Sequence, residues 1–156
     1  MKNIKYKKYV LLSIISSAIL FGSLAYSHCQ MPCGIYDDPA RLSEIAENIT
    51  TIEKSMIEIT ELSKDPAKNA NQLVRWVMNK DEQADDLSHI VTFYFMAQRI
   101  KLPTEGDTKS QSDYVKKMTL LHKMLIYSMK AKQTTDLANV EKLRSLLKEF
   151  REVYSG

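Results

Sequence analysis

Leu42, Ile45, Ile49, Ile52, Met56 and Ile59 recur at alternating spacings of three and four. That rhythm keeps apolar side chains on one stripe only if the backbone is an α-helix, and the stripe needs other helices to cover it. Asp38 is the expected cap of this helix, with Pro39 at its first position and a stop near Ser63. Asp65 and Pro66 repeat the start signal. Leu73, Val74, Val77, Met78, Ala84, Leu87, Val91, Tyr94 and Phe95 then mark a long second helix that ends before Pro103. The polar stretch Thr104 to Ser112, with Gly106, reads as a loop. Val115, Met118, Leu121, Leu125 and Met129 mark a third helix, which Thr135 and Asp136 break. Leu137, Val140, Leu143, Leu147 and Phe150 mark a fourth, with Arg144, Lys148 and Glu149 on its outer side. No alternating strand pattern competes. The expectation is an all-α, antiparallel four-helix bundle over residues 38–156, because four amphipathic helices with short connections bury their stripes most simply that way. Only 4 glycines and 4 prolines in 156 residues agree with a chain that is mostly helix.

The first 27 residues follow a different logic. Lys2, Lys5, Lys7 and Lys8 precede an uncharged, largely apolar run from Val10 to Ala25, the layout of a secretory signal peptide. Sixteen residues fall short of the roughly 20 that a spanning helix needs. Ala25 and Ser27 match the small-x-small pattern read by a signal peptidase, and a cut after Ser27 leaves His28 first with a free amine. Cys29 is no lipid acceptor, because His28 stands where a lipoprotein signal requires a small residue.

Charge narrows the partners. The chain carries 22 basic and 19 acidic residues; the leader removes four lysines and no acid, so 18 face 19 and the mature net charge is −1. Such a chain has no electrostatic footprint for nucleic acid, and no basic stripe is interleaved with aromatics. No membrane association is expected once the leader is gone.

Between the leader and the first helix, residues 28–37 form a glycine- and proline-punctuated hook, His28-Cys29-Gln30-Met31-Pro32-Cys33-Gly34-Ile35-Tyr36-Asp37. It holds both cysteines of the chain and one of its 3 histidines. A Cys29–Cys33 disulfide is one reading, since exported proteins meet oxidising conditions. A metal site explains more. A terminal histidine offers an amine and an imidazole, Cys29 a thiolate and its own backbone nitrogen, and Cys33 a second thiolate. Two nitrogens and two sulfurs in a plane, with an axial imidazole, suit Ni(II) or Cu(II). Zinc would require a tetrahedral set, with His89 or His122 reaching the hook.

The pattern H-C-x-x-P-C-G-x-Y at a mature N-terminus resembles the nickel-binding hook of nickel superoxide dismutases. Residues 28–36 match at every fixed position, and Asn71 to Lys80 is similar to second-helix sequence of bacterial members. The resemblance extends over residues 28–156. It implies disproportionation of superoxide to dioxygen and hydrogen peroxide through Ni(II)/Ni(III) cycling, one nickel ion per subunit, in a homohexamer of four-helix bundles. It further implies that the His28 amine, the Cys29 amide nitrogen and the Cys29 and Cys33 thiolates are the basal ligands, with the His28 imidazole axial. Pro32 and Gly34 would shape the hook, Tyr36 would stand beside the open nickel face, and Glu44 would hydrogen-bond the axial imidazole. Gln30 departs from the Asp of some members. Gln83 stands where others carry an arginine that supports the axial histidine, so Glu44 would hold His28 alone.

His89 and His122 receive no role here, since a lone histidine on a bundle helix is usually structural. Met56, Met78, Met96, Met118, Met124 and Met129 fall at helical spacing and read as core filler; Trp76 reads as packing. The alternative to an enzyme is an exported helical bundle without catalysis, binding nickel or copper or stapled by the disulfide. The signal-like leader places the protein outside the cytoplasm, in a periplasm or beyond. Removal by a dedicated leader peptidase in the cytoplasm is the other possibility that the family resemblance allows.

Overall fold

The structure, a computed structural model, describes residues 34–155; the leader and the hook residues 28–33 lie outside the described residues. Helix α1 runs Asp38–Leu62, and α2 runs Pro66–His89 and passes directly into a π-helical segment, Ile90–Arg99. Helices α3, Thr108–Gln133, and α4, Ala138–Ser155, complete the bundle.

All six residues of the first apolar stripe are buried, together with Asn48 and Ser55. The boundaries follow local chemistry. The cap of α1 is Asp37, one residue earlier than the sequence suggested: its Oδ1 accepts from the Ala40 amide at 3.0 Å. Asp38, the expected cap, is instead a first-turn residue whose carboxylate is engaged elsewhere. At the far end, Ser63 donates its amide to the Ile59 carbonyl at 3.0 Å and closes the helix. Asp65 caps α2 as expected, accepting from the Lys68 amide at 3.3 Å. Asp107 caps α3, accepting from the Lys109 and Ser110 amides at 3.0 and 3.2 Å.

Cross-helix contacts fix the directions. Between α1 and the second helix with its π-helical continuation, Asp38 meets Arg99 while Ser55 meets Asn79; between α1 and α4, Leu42 meets Arg151 while Glu53 meets Arg144. Numbers rising on one helix fall on its neighbour, so these pairs are antiparallel. Helices α2 and α3 approach through small residues: the Ser128 hydroxyl donates to the Ala84 carbonyl at 2.7 Å and accepts from Ser88 at 3.1 Å. A single core joins all four helices, with Ile45, Ile52, Met56, Leu87, Phe95, Leu121, Met124, Leu143 and Phe150 fully shielded from solvent.

Several sequence expectations need correction. Val74, Val77 and Met78 on α2, Val115 and Met129 on α3, and Leu137 before α4 are exposed. The apolar pattern on these segments is wider than the face that the other helices cover. Met78 and Met129 are therefore not core filler, whereas Met56 and Met124 are. Arg144, on the outer side of α4 as expected, is only partly solvated. Its guanidinium pairs with Glu53, donating to Oε1 at 2.8 Å, and holds the Glu53 carboxyl below its ordinary range.

Lys80 is 3 % exposed and its ammonium is satisfied by the end of a neighbouring helix. Its Nζ donates to the carbonyls of Ala131, at 2.8 Å, and Lys132. These carbonyls lie in the last turn of α3, where no following backbone amide donates to them and the dipole is negative. A buried cation thereby ties α2 to the C-terminus of α3, which offsets the cost of desolvating it.

Candidate functional site

His28, Cys29, Pro32 and Cys33, the expected ligands and the proline expected to shape the hook, lie outside the described residues. The structure does describe how the chain leaves the hook. Gly34 has φ of +72°, in the left-handed region that residues with a side chain rarely adopt. Tyr36 follows, 45 % exposed. The Arg99 guanidinium lies 4.3 Å from the centre of its ring, and the Tyr94 ring meets it edge-on, with centroids 6.1 Å apart and planes at 75°.

Asp38 is the centre of this end of the bundle. Its Oδ1 accepts from the Tyr94 hydroxyl at 2.6 Å and from Arg99 Nε at 2.8 Å; its Oδ2 accepts from Arg99 Nη2 at 2.7 Å and from the Tyr154 hydroxyl at 2.8 Å. One carboxylate thus gathers α1, the π-helical segment and the end of α4. Beneath it Phe95, Phe150 and Tyr154 pack together, Phe95 edge-on to Phe150 at 5.2 Å and Tyr154 stacked on Phe150 at 5.2 Å. The two arms from Arg99 make a paired fork, the strongest form of ion pair.

The winding of the second helix makes this possible. Tyr94 and Arg99 are five residues apart. On an α-helix of roughly 3.6 residues per turn they would point about 140° apart. In a π-helix, where the amide of residue i+5 bonds the carbonyl of residue i, they come to the same side. The Ile100 amide bonds the Phe95 carbonyl at 2.9 Å in that register. Both side chains therefore reach the same carboxylate.

The Arg99 hydrogen bonds, with those of Tyr94 and Tyr154, hold the Asp38 carboxyl down to about 2 despite burial. Burial, reinforced by Asp38, pushes the Tyr94 phenol up to about 12, and burial and Asp38 push Tyr154 up as well. A carboxyl depressed from 3.8 to about 2 contributes stability that is complete above pH 4 and lost as the pH falls towards 2. Asp38→Asn should therefore lower the unfolding free energy at pH 7 by about 2 kcal/mol and flatten its decline between pH 4 and 2. Urea unfolding at pH 7, 4 and 2.5 measures this; a variant as stable as the parent at pH 7 with the same acid slope would refute the assignment.

Glu44, expected beside the axial imidazole, accepts from Arg41 Nη1 at 2.6 Å on the surface of α1. The Arg41 guanidinium in turn lies 5.6 Å from the centre of the Tyr94 ring. Gln83 is partly buried on α2, and His89 and His122 are exposed. Trp76 on α2 is partly buried, with the ammonium of Lys54 on α1 5.8 Å from the centre of its ring. Among the described residues no three His, Cys, Asp or Glu side chains come together to hold a metal ion. Arg99 and Tyr154 also form a wall of an open cleft of about 470 Å³, where Lys101, Lys109 and Lys117 outnumber Asp107 and Asp113.

Sequence reasoning singled out Tyr36 and missed its supports. Asp38 reads from sequence as a cap and Tyr94 as a stripe residue, and no local pattern marks Arg99 or Tyr154. Only the i, i+5 spacing of Tyr94 and Arg99 hinted at them, and it signals nothing unless the winding is known to change.

The donor set expected of the hook after a cut before His28 would suit nickel on chemical grounds. A terminal amine, a backbone nitrogen and two thiolates are the soft and strongly donating groups that a square-planar metal ion takes. No curated protein and no solved structure matches the chain. The sequence profile of the family described as nickel-containing superoxide dismutase matches residues 23–156, all four helices and the hook included. The chain belongs to the nickel-containing superoxide dismutases: it is an oxidoreductase that uses nickel and acts on superoxide.

Proposed function

We propose that the protein becomes active when it is cut between Ser27 and His28, and that the hook then holds one nickel ion through the His28 amine, the Cys29 amide nitrogen and the thiolates of Cys29 and Cys33. The His28 imidazole would be a further donor to it. The observation that carries this reading is the concentration of both cysteines and one of 3 histidines within six residues that directly follow a small-x-small pattern. Nickel held there would supply the one-electron couple by which two superoxide ions and two protons become dioxygen and hydrogen peroxide.

The chain's own part is to make that set of donors and shape access to it. Thiolates and an anionic amide donate electron density strongly and favour the higher oxidation state. Pro32, lacking an amide hydrogen, and Gly34, at positive φ, shape the hook. Tyr36, three residues beyond Cys33, would orient superoxide or water with its hydroxyl, and Glu44 would accept a hydrogen bond from the His28 imidazole. Subunits associate as a homohexamer. The leader directs export to the periplasm or outside the cell, where a signal peptidase makes the cut; a dedicated peptidase in the cytoplasm is the other route to the same N-terminus.

Intact mass spectrometry of the purified protein, with and without nickel, tests the core of this reading. The expected species begins at His28, carries two free thiols without nickel, and gains one nickel with protection of both thiols. A protein that begins elsewhere, or that keeps a Cys29–Cys33 disulfide after nickel is supplied, contradicts it.

A further inference from the structure

We infer that Arg99 is a positioning residue for Tyr36: held flat by the Asp38 carboxylate, its guanidinium fixes the orientation of the tyrosine ring where the chain leaves the hook. The inference rests on the proposed role of Tyr36 but is carried by a different observation, the sharing of one guanidinium between two residues of the same short segment.

Tyr36 precedes α1 and is 45 % exposed, so the helix alone leaves its ring free to rotate. Two groups restrict it. The Tyr94 edge borders it at 6.1 Å, and the Arg99 guanidinium lies 4.3 Å from its ring centre. The first of these is itself tied down, since the Tyr94 hydroxyl donates to Asp38 at 2.6 Å. The second is tied by two bonds, Nε and Nη2 to the two oxygens of Asp38. A guanidinium anchored through one edge has no freedom to tilt, and its broad planar face is left for the ring. Asp38 stands only two residues after Tyr36, so Arg99 grips the segment at its backbone end and its side-chain end together.

The geometry depends on arginine. Lysine would keep the charge but would have neither the fork that matches the carboxylate nor the flat face that lies against the ring. It also depends on the π-helical segment, which brings Arg99 round to the side of Tyr94. A helix that has changed its winding to deliver one side chain to a particular place is what π-helical segments at functional positions commonly do.

The test uses the mature protein with ¹³C-labelled tyrosine, read by NMR in the nickel-free form, alongside superoxide decay in the nickel-loaded form. Tyr36 is assigned by its loss in Tyr36→Leu. In the parent its ring signal should be displaced from that of an exposed tyrosine; in Arg99→Lys it should move to the exposed position while the thermal transition remains cooperative. The same substitution should lower kcat/KM by about tenfold, in the range for residues that orient a site from behind. In a Tyr36→Leu background Arg99→Lys should cause no further loss. An unmoved Tyr36 ring in Arg99→Lys, or a further tenfold loss without Tyr36, overturns the inference. If Arg99→Lys fails to fold, the paired neutral change Asp38→Asn with Arg99→Gln, which leaves no orphan charge, carries the same expectations. Full activity in Tyr36→Leu alone would refute the role of Tyr36 itself, and the ring signal would still report whether Arg99 holds it.

Discussion

Cys33→Ser abolishes superoxide turnover: stopped-flow decay of superoxide by the nickel-treated mature protein falls by more than about 100-fold, the loss seen when groups merely supporting a metal site are removed. The physical reason is the difference between sulfur and oxygen as donors. A cysteine thiol has a pKa of about 8.5 and is readily deprotonated beside a metal ion, whereas a serine hydroxyl stays protonated and hard. Replacing one of two thiolates removes a soft anionic donor from a set that suits nickel because it has two. The loss should be local. Among the described residues the buried core begins at Leu42 and includes none of residues 34–37, so circular dichroism and the thermal midpoint should match those of the parent. Turnover that survives in Cys33→Ser with nickel bound would sink the ligand set.

The second large effect needs no substitution. A chain that retains residues 1–27, produced by changing Ala25 and Ser27 to bulky residues that a signal peptidase rejects, should be folded and inactive. In it the nitrogen of His28 is a peptide nitrogen, with its lone pair delocalised into the carbonyl of Ser27, and cannot serve as an amine donor. Both thiolates remain, so nickel binding weakens and changes geometry rather than disappearing. Release of the leader by a protease directed to that junction should restore activity in the same sample. Activity in the uncut chain would show that the His28 amine is dispensable.

The helices were legible because helix formation and burial share one signal. The stripe from Leu42 to Ile59 was right at every position, and the Asp65-Pro66 start of α2 was right to the residue. Where the reading failed, the same signal was misleading. Val74, Val77 and Met78 continue the apolar pattern of α2, yet they lie where no other helix covers them. Asp37 and Asp38 are adjacent acids before a proline, and either can cap a helix; the choice depends on what else competes for each carboxylate. Arg99 and Tyr154 compete for Asp38 across 61 and 116 residues of chain. No local pattern records that.

The amino-acid sequence alone determined the class of fold, because a periodic stripe is written in neighbours; its expectations of a leader and of a metal-binding hook are written the same way, in a charged and apolar run and in donors within six residues of one another. The tertiary structure decided which carboxylate caps α1, that the second helix changes to π winding, and that Asp38, Tyr94, Arg99 and Tyr154 converge beneath Tyr36. Those are agreements among side chains far apart in the chain, and they exist only after the helices have packed and brought three of their ends together.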